Sequence, residues 1–214
     1  MRYNFLPSFA RRKGRITKLQ EKNLSFLADY SLDHPNTLND NPSFDKIALE
    51  IGFGNGEDFF SFAKEKNNTL FLASEVYKSG IGNLIGKIRE HSIENICIYE
   101  GDIRDLIFEE EGFRFDEVYI ICPDPWPKEK HHKRRLIDNN FLKMLNKFMK
   151  KNAQLYISTD WENYAESISC SINEDNLFME TNKKYLNNVA HSKFERKGHE
   201  EGRKIFKFNY EKIL

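Results

Sequence analysis

A doubly wound α/β fold is predicted for these 214 residues, with a mostly parallel sheet of about seven strands. Three observations predict it. Short apolar runs alternate with helical patterns, and strands separated by helices pair in parallel through right-handed crossovers. Gly52, Glu75, Asp102, Asp124 and Asp160 each close one of those apolar runs, at the carboxyl ends of strands where open α/β sheets bind their ligands. The length, with 39% hydrophobic residues, is enough for one full-sized core and short for two.

The elements follow in order. Residues 1–45 read as a basic arm, an amphipathic helix marked by Ile16, Leu19, Phe26 and Leu27, and a loop of turn formers from His34 to Pro42, all belonging to the same domain as the rest. Residues 46–214 carry the main domain. Its first half reads as strand Lys46–Ile51, helix Asp58–Lys66, strand Leu70–Glu75, helix Gly80–His91, strand Ile96–Glu100 and strand Phe115–Cys122. Helix Asn139–Lys150, strand Gln154–Ser158, helix Tyr164–Ile172 and late strands at Phe178–Lys183 and Lys204–Tyr210 complete it. Gly80, Gly82 and Gly86 read as a helix start and close packing, not as a ligand loop.

Net formal charge is zero, so no global field selects a polyanion, but the charge is uneven. Arg2, Arg11, Arg12, Lys13, Arg15, Lys18 and Lys22 crowd the N-terminus, while Glu109, Glu110 and Glu111 form an acidic cluster elsewhere. Cys97, Cys122 and Cys170 are widely spaced and odd in number, which argues against a disulfide framework or thiolate metal site and fits a reducing cytoplasm. No apolar run approaches the roughly 18 residues of a membrane span, so a soluble, cytoplasmic protein with no membrane partner is expected.

Glu50-Ile51-Gly52-Phe53-Gly54-Asn55-Gly56 ends the first strand and opens a helix, where glycines let the backbone turn and approach a ligand. A dinucleotide fingerprint needs glycine where Glu57 stands, and Glu57 with Asp58 would repel a pyrophosphate. Glu50 instead suits a cofactor with a cationic amino end, Glu75 is placed for ribose hydroxyls, and Asp102 beside Ile103 for an adenine. Together they read as an S-adenosylmethionine site and not as one for NAD.

The most distinctive stretch is Pro123-Asp124-Pro125-Trp126-Pro127-Lys128, between the strand ending at Cys122 and the cations Lys130, His131, His132, Lys133, Arg134 and Arg135. Each proline restricts the residue before it, so Asp124 and Trp126 are both expected extended, presenting a carboxylate and a ring rigidly beside charges suited to phosphates. Trp126 reads about equally as a stacking platform or as a ring packed under the loop. His131 and His132 belong to the cation patch; no partner lies at metal-ligand spacing, and no metal is expected.

These motifs, with Arg12-Lys13-Gly14-Arg15-Ile16-Thr17, Ser192-Lys193-Phe194-Glu195-Arg196 and Gly202-Arg203-Lys204-Ile205, resemble the bacterial tRNA (guanine-N7)-methyltransferase family over nearly the whole chain. Ser192 replaces an expected threonine, and Glu129 interrupts an otherwise basic segment. The resemblance implies a Rossmann-like S-adenosylmethionine-dependent methyltransferase fold and methylation of N7 of the variable-loop guanine of tRNA, position 46 by tRNA convention. It implies Asp124 as the catalytic and cofactor-adjacent residue, with Glu50, Glu75 and Asp102 on the cofactor. It further implies Lys128, Asp160, Ser192, Lys193, Phe194 and Glu195 on the RNA substrate, Lys130 to Arg135 on its backbone, and a monomer or homodimer. By its position alone, Asp160 reads first as a helix cap. The rivals are an amine methyltransferase, whose loop reads Asn-Pro-Pro-aromatic, a non-catalytic RNA-binding protein that would be expected to lose Glu50, Glu75 and Asp102, and a dinucleotide-dependent oxidoreductase, disfavoured by Glu57.

Overall fold

The computed structural model describes residues 5–10, 15–31, 38, 43–109, 113–181 and 193–213. They group into two compact units, one within residues 11–115 and the other within 1–10 and 116–214. The basic arm is thus divided, its first described residues belonging to one unit and its helix to the other.

In the unit of residues 11–115, strands β1 (Lys46–Ile51), β2 (Thr69–Glu75) and β3 (Ile96–Glu100) pair in parallel in the order β3-β2-β1. All of β2 and all but the first residue of β1 are buried, as parallel strands covered on both faces must be. Helix α1 (Lys18–Leu24) starts at a reciprocal cap, in which the Gln20 N–H donates to Thr17 Oγ1 at 3.2 Å and the Thr17 N–H to Gln20 Oε1 at 2.8 Å. Helix α2 (Glu57–Glu65) buries Phe59, Phe60 and Phe62, and helix α3 (Lys78–His91) buries Ile81, Leu84, Ile85 and Ile88. Helix α4 (Ile103–Glu109) is absent from the sequence reading, because seven residues hold too few repeats for a periodicity to register.

The glycines of α3 serve as packing devices, as their spacing suggests. A Cβ at Gly80 would collide with the carbonyl of Gly54; one at Gly82 would stand 2.7 Å from the Gln20 carbonyl oxygen, and one at Gly86 2.5 Å from Asn23 Nδ2. Asn23 Nδ2 in turn donates to the Gly82 carbonyl at 2.9 Å, so the close approach of α1 is also hydrogen-bonded.

The other unit contains β4 (Phe115–Ile121, all but its first residue), β5 (Met149–Thr159), β6 (Phe178–Glu180) and β7 (Phe206–Lys212), ordered β4-β5-β7-β6. Both β5 and β6 pair antiparallel with β7, so the sheet is mixed at this end, in keeping with the mostly parallel sheet expected. Helix α5 (Asn139–Lys147) begins at Asp138, whose Oδ1 accepts the Phe141 N–H at 2.8 Å. Helix α6 (Glu162–Asn173) buries Tyr164, Ala165, Ile168 and Ile172. Strand β5 takes in residues 149–153, which the sequence reading had divided between the end of a helix and a linker because Lys150 and Lys151 resemble a basic C-terminal turn. Helix α7 (Lys193–Glu200) also escaped that reading, since it is largely polar and contains Gly198.

Candidate active site

Beside β1, the loop Gly52–Gly56 has left-handed backbone at all three glycines, with φ of 79°, 63° and 79°. A Cβ at Gly52 would meet nothing within 4 Å, so at this residue the turn presents bare backbone to open space. Glu75, at the end of β2, is 8% exposed and holds the loop from beneath. Its Oε2 accepts the Gly54 N–H at 2.7 Å, and its Oε1 accepts the N–H groups of Val76 at 2.6 Å and Tyr77 at 2.9 Å. Three backbone donors therefore fix the orientation of the carboxylate expected to receive a ribose. Glu50, one residue from the end of β1, is a second acid buried in the same unit.

Asp102 follows β3 at the start of α4. Its Oδ1 accepts from the backbone N–H of Arg104 at 3.1 Å and from Nε at 2.9 Å, and its Oδ2 accepts from the Arg104 guanidinium at 2.5 Å. Arg104 is itself buried, so the acid is held by a fork no sequence pattern announced. The arrangement of Gly52, Gly54, Gly56, Glu50, Glu75 and Asp102 fits the groups of S-adenosylmethionine, because it combines an open glycine turn with rigid carboxylates and offers no cationic cradle for a pyrophosphate.

In the unit of residues 1–10 and 116–214, the segment after β4 is stiff for a reason beyond its prolines. Cys122 and Trp126 both have positive φ, 48° and 46°, bracketing Pro123-Asp124-Pro125 with left-handed turns. Trp126 is therefore not extended, contrary to expectation. Tertiary contacts outweigh the local preference: its Nε1–H donates to the Ser8 carbonyl at 2.8 Å, His131 packs edge-on at 5.7 Å, and the Arg134 guanidinium lies 5.1 Å above the ring. Of the two readings of this ring, the packed one describes its present contacts. Asp124 is half-buried, and its Oδ2 accepts the Ala10 N–H at 2.8 Å.

The cations after the loop do not form one uniform patch. A 3-10 helix over Glu129–Arg134 leaves Lys128, Lys130 and Lys133 exposed and half-buries His131, His132 and Arg134. Arg135, expected on RNA, turns inward and is 6% exposed. Its Nε donates to the Pro125 carbonyl at 3.0 Å, its other nitrogens donate to the Asn163 carbonyl at 3.4 Å and to Asn163 Oδ1 at 2.9 Å, and its plane lies 4.7 Å over the Tyr164 ring. Burial depresses the pKa of that guanidinium, and it also raises that of the Tyr164 hydroxyl. Arg135 thus differs from its neighbours in kind. It ties the acid loop to the start of α6.

Asp160 follows β5 but does not cap α6, which begins at Trp161 with the Thr159 hydroxyl accepting the Trp161 N–H at 3.2 Å. The Asp160 carboxylate turns instead to Arg203 at 2.9 Å. On α7, Lys193 is exposed whereas Glu195 is buried, and Glu195 is one of the groups that, with burial as the leading cause, raise the pKa of Tyr156. Ser192 and the side chain of Phe194 lie outside the described residues. Arg104 and Ala10 carry no signal in the sequence, and Arg203 stands there only within the Gly202-Arg203-Lys204-Ile205 motif, with no role attached to it.

Comparison with known proteins identifies the family and the fold. A family model described as "Putative methyltransferase" matches residues 45–208. A tRNA (guanine-N(7)-)-methyltransferase from Nitrosococcus oceani is 35% identical over 216 residues, covering 98% of this chain and 92% of that protein. Among solved structures, the 16S rRNA methyltransferase KamB superposes with a TM-score of 0.60 at 12% identity, over 95% of this chain and 97% of that one. A methyltransferase-like protein from Streptococcus mutans, solved in complex with SAH, superposes with a TM-score of 0.54 at 13% identity, over 93% of this chain and all of that one. At these identities the structural matches establish the fold, an α/β S-adenosylmethionine-dependent methyltransferase fold.

Proposed function

Because the chain belongs to the tRNA (guanine-N(7)-)-methyltransferase family, we propose that it transfers a methyl group from S-adenosylmethionine to N7 of a guanine in tRNA, the variable-loop guanine at position 46. The observation that carries the reading within the molecule is the placement of Asp124. A half-buried carboxylate stands on a loop stiffened by prolines and two left-handed residues, and it already accepts an N–H at 2.8 Å.

Guanine N7 carries an in-plane lone pair at neutral pH, so no general base is needed to generate the nucleophile, and positioning and electrostatics are the main demands on the protein. S-adenosylmethionine, when bound, supplies a methyl group already activated on a sulfonium. The purine gains positive charge as N7 is alkylated, and Asp124 stabilises that charge while accepting from the N1–H or amino group that orients the ring. Glu50, Glu75, Asp102 and the backbone of Gly52, Gly54 and Gly56 hold the cofactor. Lys128, Asp160 and Lys193 hold the substrate, with Ser192, Phe194 and the buried Glu195 assigned to it by the motif, and Lys130, His131, His132, Lys133 and Arg134 meet the RNA backbone. Arg135 acts one step back, by supporting the loop through the Pro125 carbonyl.

The test is a single-turnover assay with labelled S-adenosylmethionine and an unmodified tRNA transcript, with N7-methylguanine mapped by reductive strand scission. Label in one variable-loop guanine, abolished by Asp124→Ala while cofactor still binds, is the expected result. Label on an exocyclic amine, or none with the wild-type protein, would refute the proposal.

A further inference from the structure

Helix α7 ends in a turn that has a specific consequence for Asp160. The Arg203 N–H donates to the Gly198 carbonyl at 2.7 Å and the Gly202 N–H to the His199 carbonyl at 3.0 Å, with Gly202 left-handed at φ 72°. This is the paired helix-ending motif in which a glycine reverses the chain, and here it returns the next residue alongside the helix. That residue is Arg203. Its guanidinium reaches Asp160 Oδ2 at 2.9 Å with one nitrogen and Glu201 with another.

The helix itself is admitted by Gly198. A Cβ there would stand 2.9 Å from Ile205 Cδ1, 3.2 Å from Asp160 Cβ and 3.4 Å from Asp160 Oδ2, so α7 packs directly on Asp160 at this position and a side chain would press on it. The sequence distance is large, yet the element carrying Lys193 and Glu195 is locked to the residue that follows β5. Among the described residues Asp160 has this one bond, made by Oδ2, and Oδ1 accepts nothing. The acid therefore has one oxygen held and the other presented.

The geometry points to Arg203 as the residue that positions Asp160 for the RNA, clamping Oδ2 so that Oδ1 is aimed at a base-edge N–H and keeping α7 in register with it. This rests on the assignment of Asp160 to the substrate made above. Arg203 is a positioning residue, acting through Asp160 and not by pairing with a phosphate. The distinction can be measured, because an arginine that neutralises a phosphate contributes about one unit to the slope of log affinity against log salt, whereas a positioning residue contributes none.

The experiment measures kcat, KM for tRNA and the salt dependence of tRNA binding for the full chain and for Arg203→Gln, Arg203→Lys, Asp160→Asn and the Arg203→Gln/Asp160→Asn double variant. Thermal melting and S-adenosylmethionine affinity check that each variant is folded. Expected are a KM for tRNA raised about tenfold by Arg203→Gln, the size of one hydrogen bond to a charged group, with kcat and the salt slope little changed and partial recovery in Arg203→Lys. The double variant should be no worse than Asp160→Asn alone. Additive effects, or a salt slope reduced by about one, would overturn the proposal by making Arg203 an independent phosphate contact. If Asp160→Asn leaves KM unchanged while Arg203→Gln raises it, the assignment of Asp160 to RNA fails, and with it the positioning role. Should Arg203→Gln unfold the chain, Gly198→Ala serves instead. Its methyl presses on Asp160 without removing a charge, and it is expected to raise KM for tRNA at unchanged salt slope; an unchanged KM would refute the proposal.

Discussion

The backbone N–H of Ala10 donates to Asp124 Oδ2 at 2.8 Å, across 114 residues of sequence, and two residues earlier the Ser8 carbonyl accepts from Trp126 Nε1 at 2.8 Å. The arm therefore holds the Asp124 carboxylate and the Trp126 ring through its main chain. A carboxylate has about four acceptor positions, so one donor from the arm orients it without exhausting it. Ala10→Pro deletes that donor and leaves the Asp124 side chain in place. A fall in kcat of several-fold is expected, with S-adenosylmethionine affinity unchanged, read by single-turnover kinetics and cofactor titration.

Arg135 should prove structural. Its guanidinium makes three bonds to Pro125 and Asn163 and covers Tyr164, in a site 6% exposed. Lysine cannot reproduce a planar fork, and Arg135→Lys is expected to cost about 2–3 kcal/mol, the range for disrupting a buried charged hydrogen-bond set. Equilibrium urea unfolding measures it, and the salt slope of tRNA binding should stay at the wild-type value, unlike that of Lys130→Ala.

Gly80→Ala tests the floor of the glycine loop. The new methyl would collide with the Gly54 carbonyl, whose own N–H is bonded to Glu75. Helix α3 and the loop must separate, so S-adenosylmethionine affinity is expected to fall at least tenfold, a displacement cost of about 1.4 kcal/mol or more. Calorimetric titration checks it, with thermal melting to show that the variant is folded.

The pKa of His131 is held below the usual histidine value by desolvation first and then by Lys130, Arg134, Lys128 and Lys133. The unfolded chain binds this proton more readily, so the contribution to stability rises with pH through the window below about 6.5 and declines as pH falls through it. Phosphates act in the opposite direction. By neutralising the same cations, bound RNA favours the imidazolium, and tRNA affinity is expected to increase from about pH 7 to pH 5.5. His131→Gln should flatten that slope in filter binding at constant ionic strength.

Much of the fold was legible because its elements satisfy local rules. Strand β1 spans the residues the pattern marks, β2 differs by one residue, and α3 by two at its start, since buried parallel strands and an amphipathic helix each have a period visible in the chain. Short or polar elements such as α4 and α7 were not, because their helical state comes from what they pack against.

The same division runs through the site. Sequence alone determined the chemical types: an acid between prolines, acids and glycines at strand ends, and a basic run, each legible because covalent geometry or charge acts locally. It also determined the family. Which of those groups are displayed and which are used internally was decided only by tertiary structure. Arg135 and Arg134 are neighbours of identical chemistry, yet one is buried under Pro125 and Asn163 and the other lies half-exposed over Trp126. Trp126 adopts a left-handed backbone that proline chemistry disfavours, and Asp160 abandons a helix cap for Arg203. Hydrogen bonds and burial across long sequence separations outweigh local preferences of about 1 kcal/mol, and such pairings have no signature until the chain has folded.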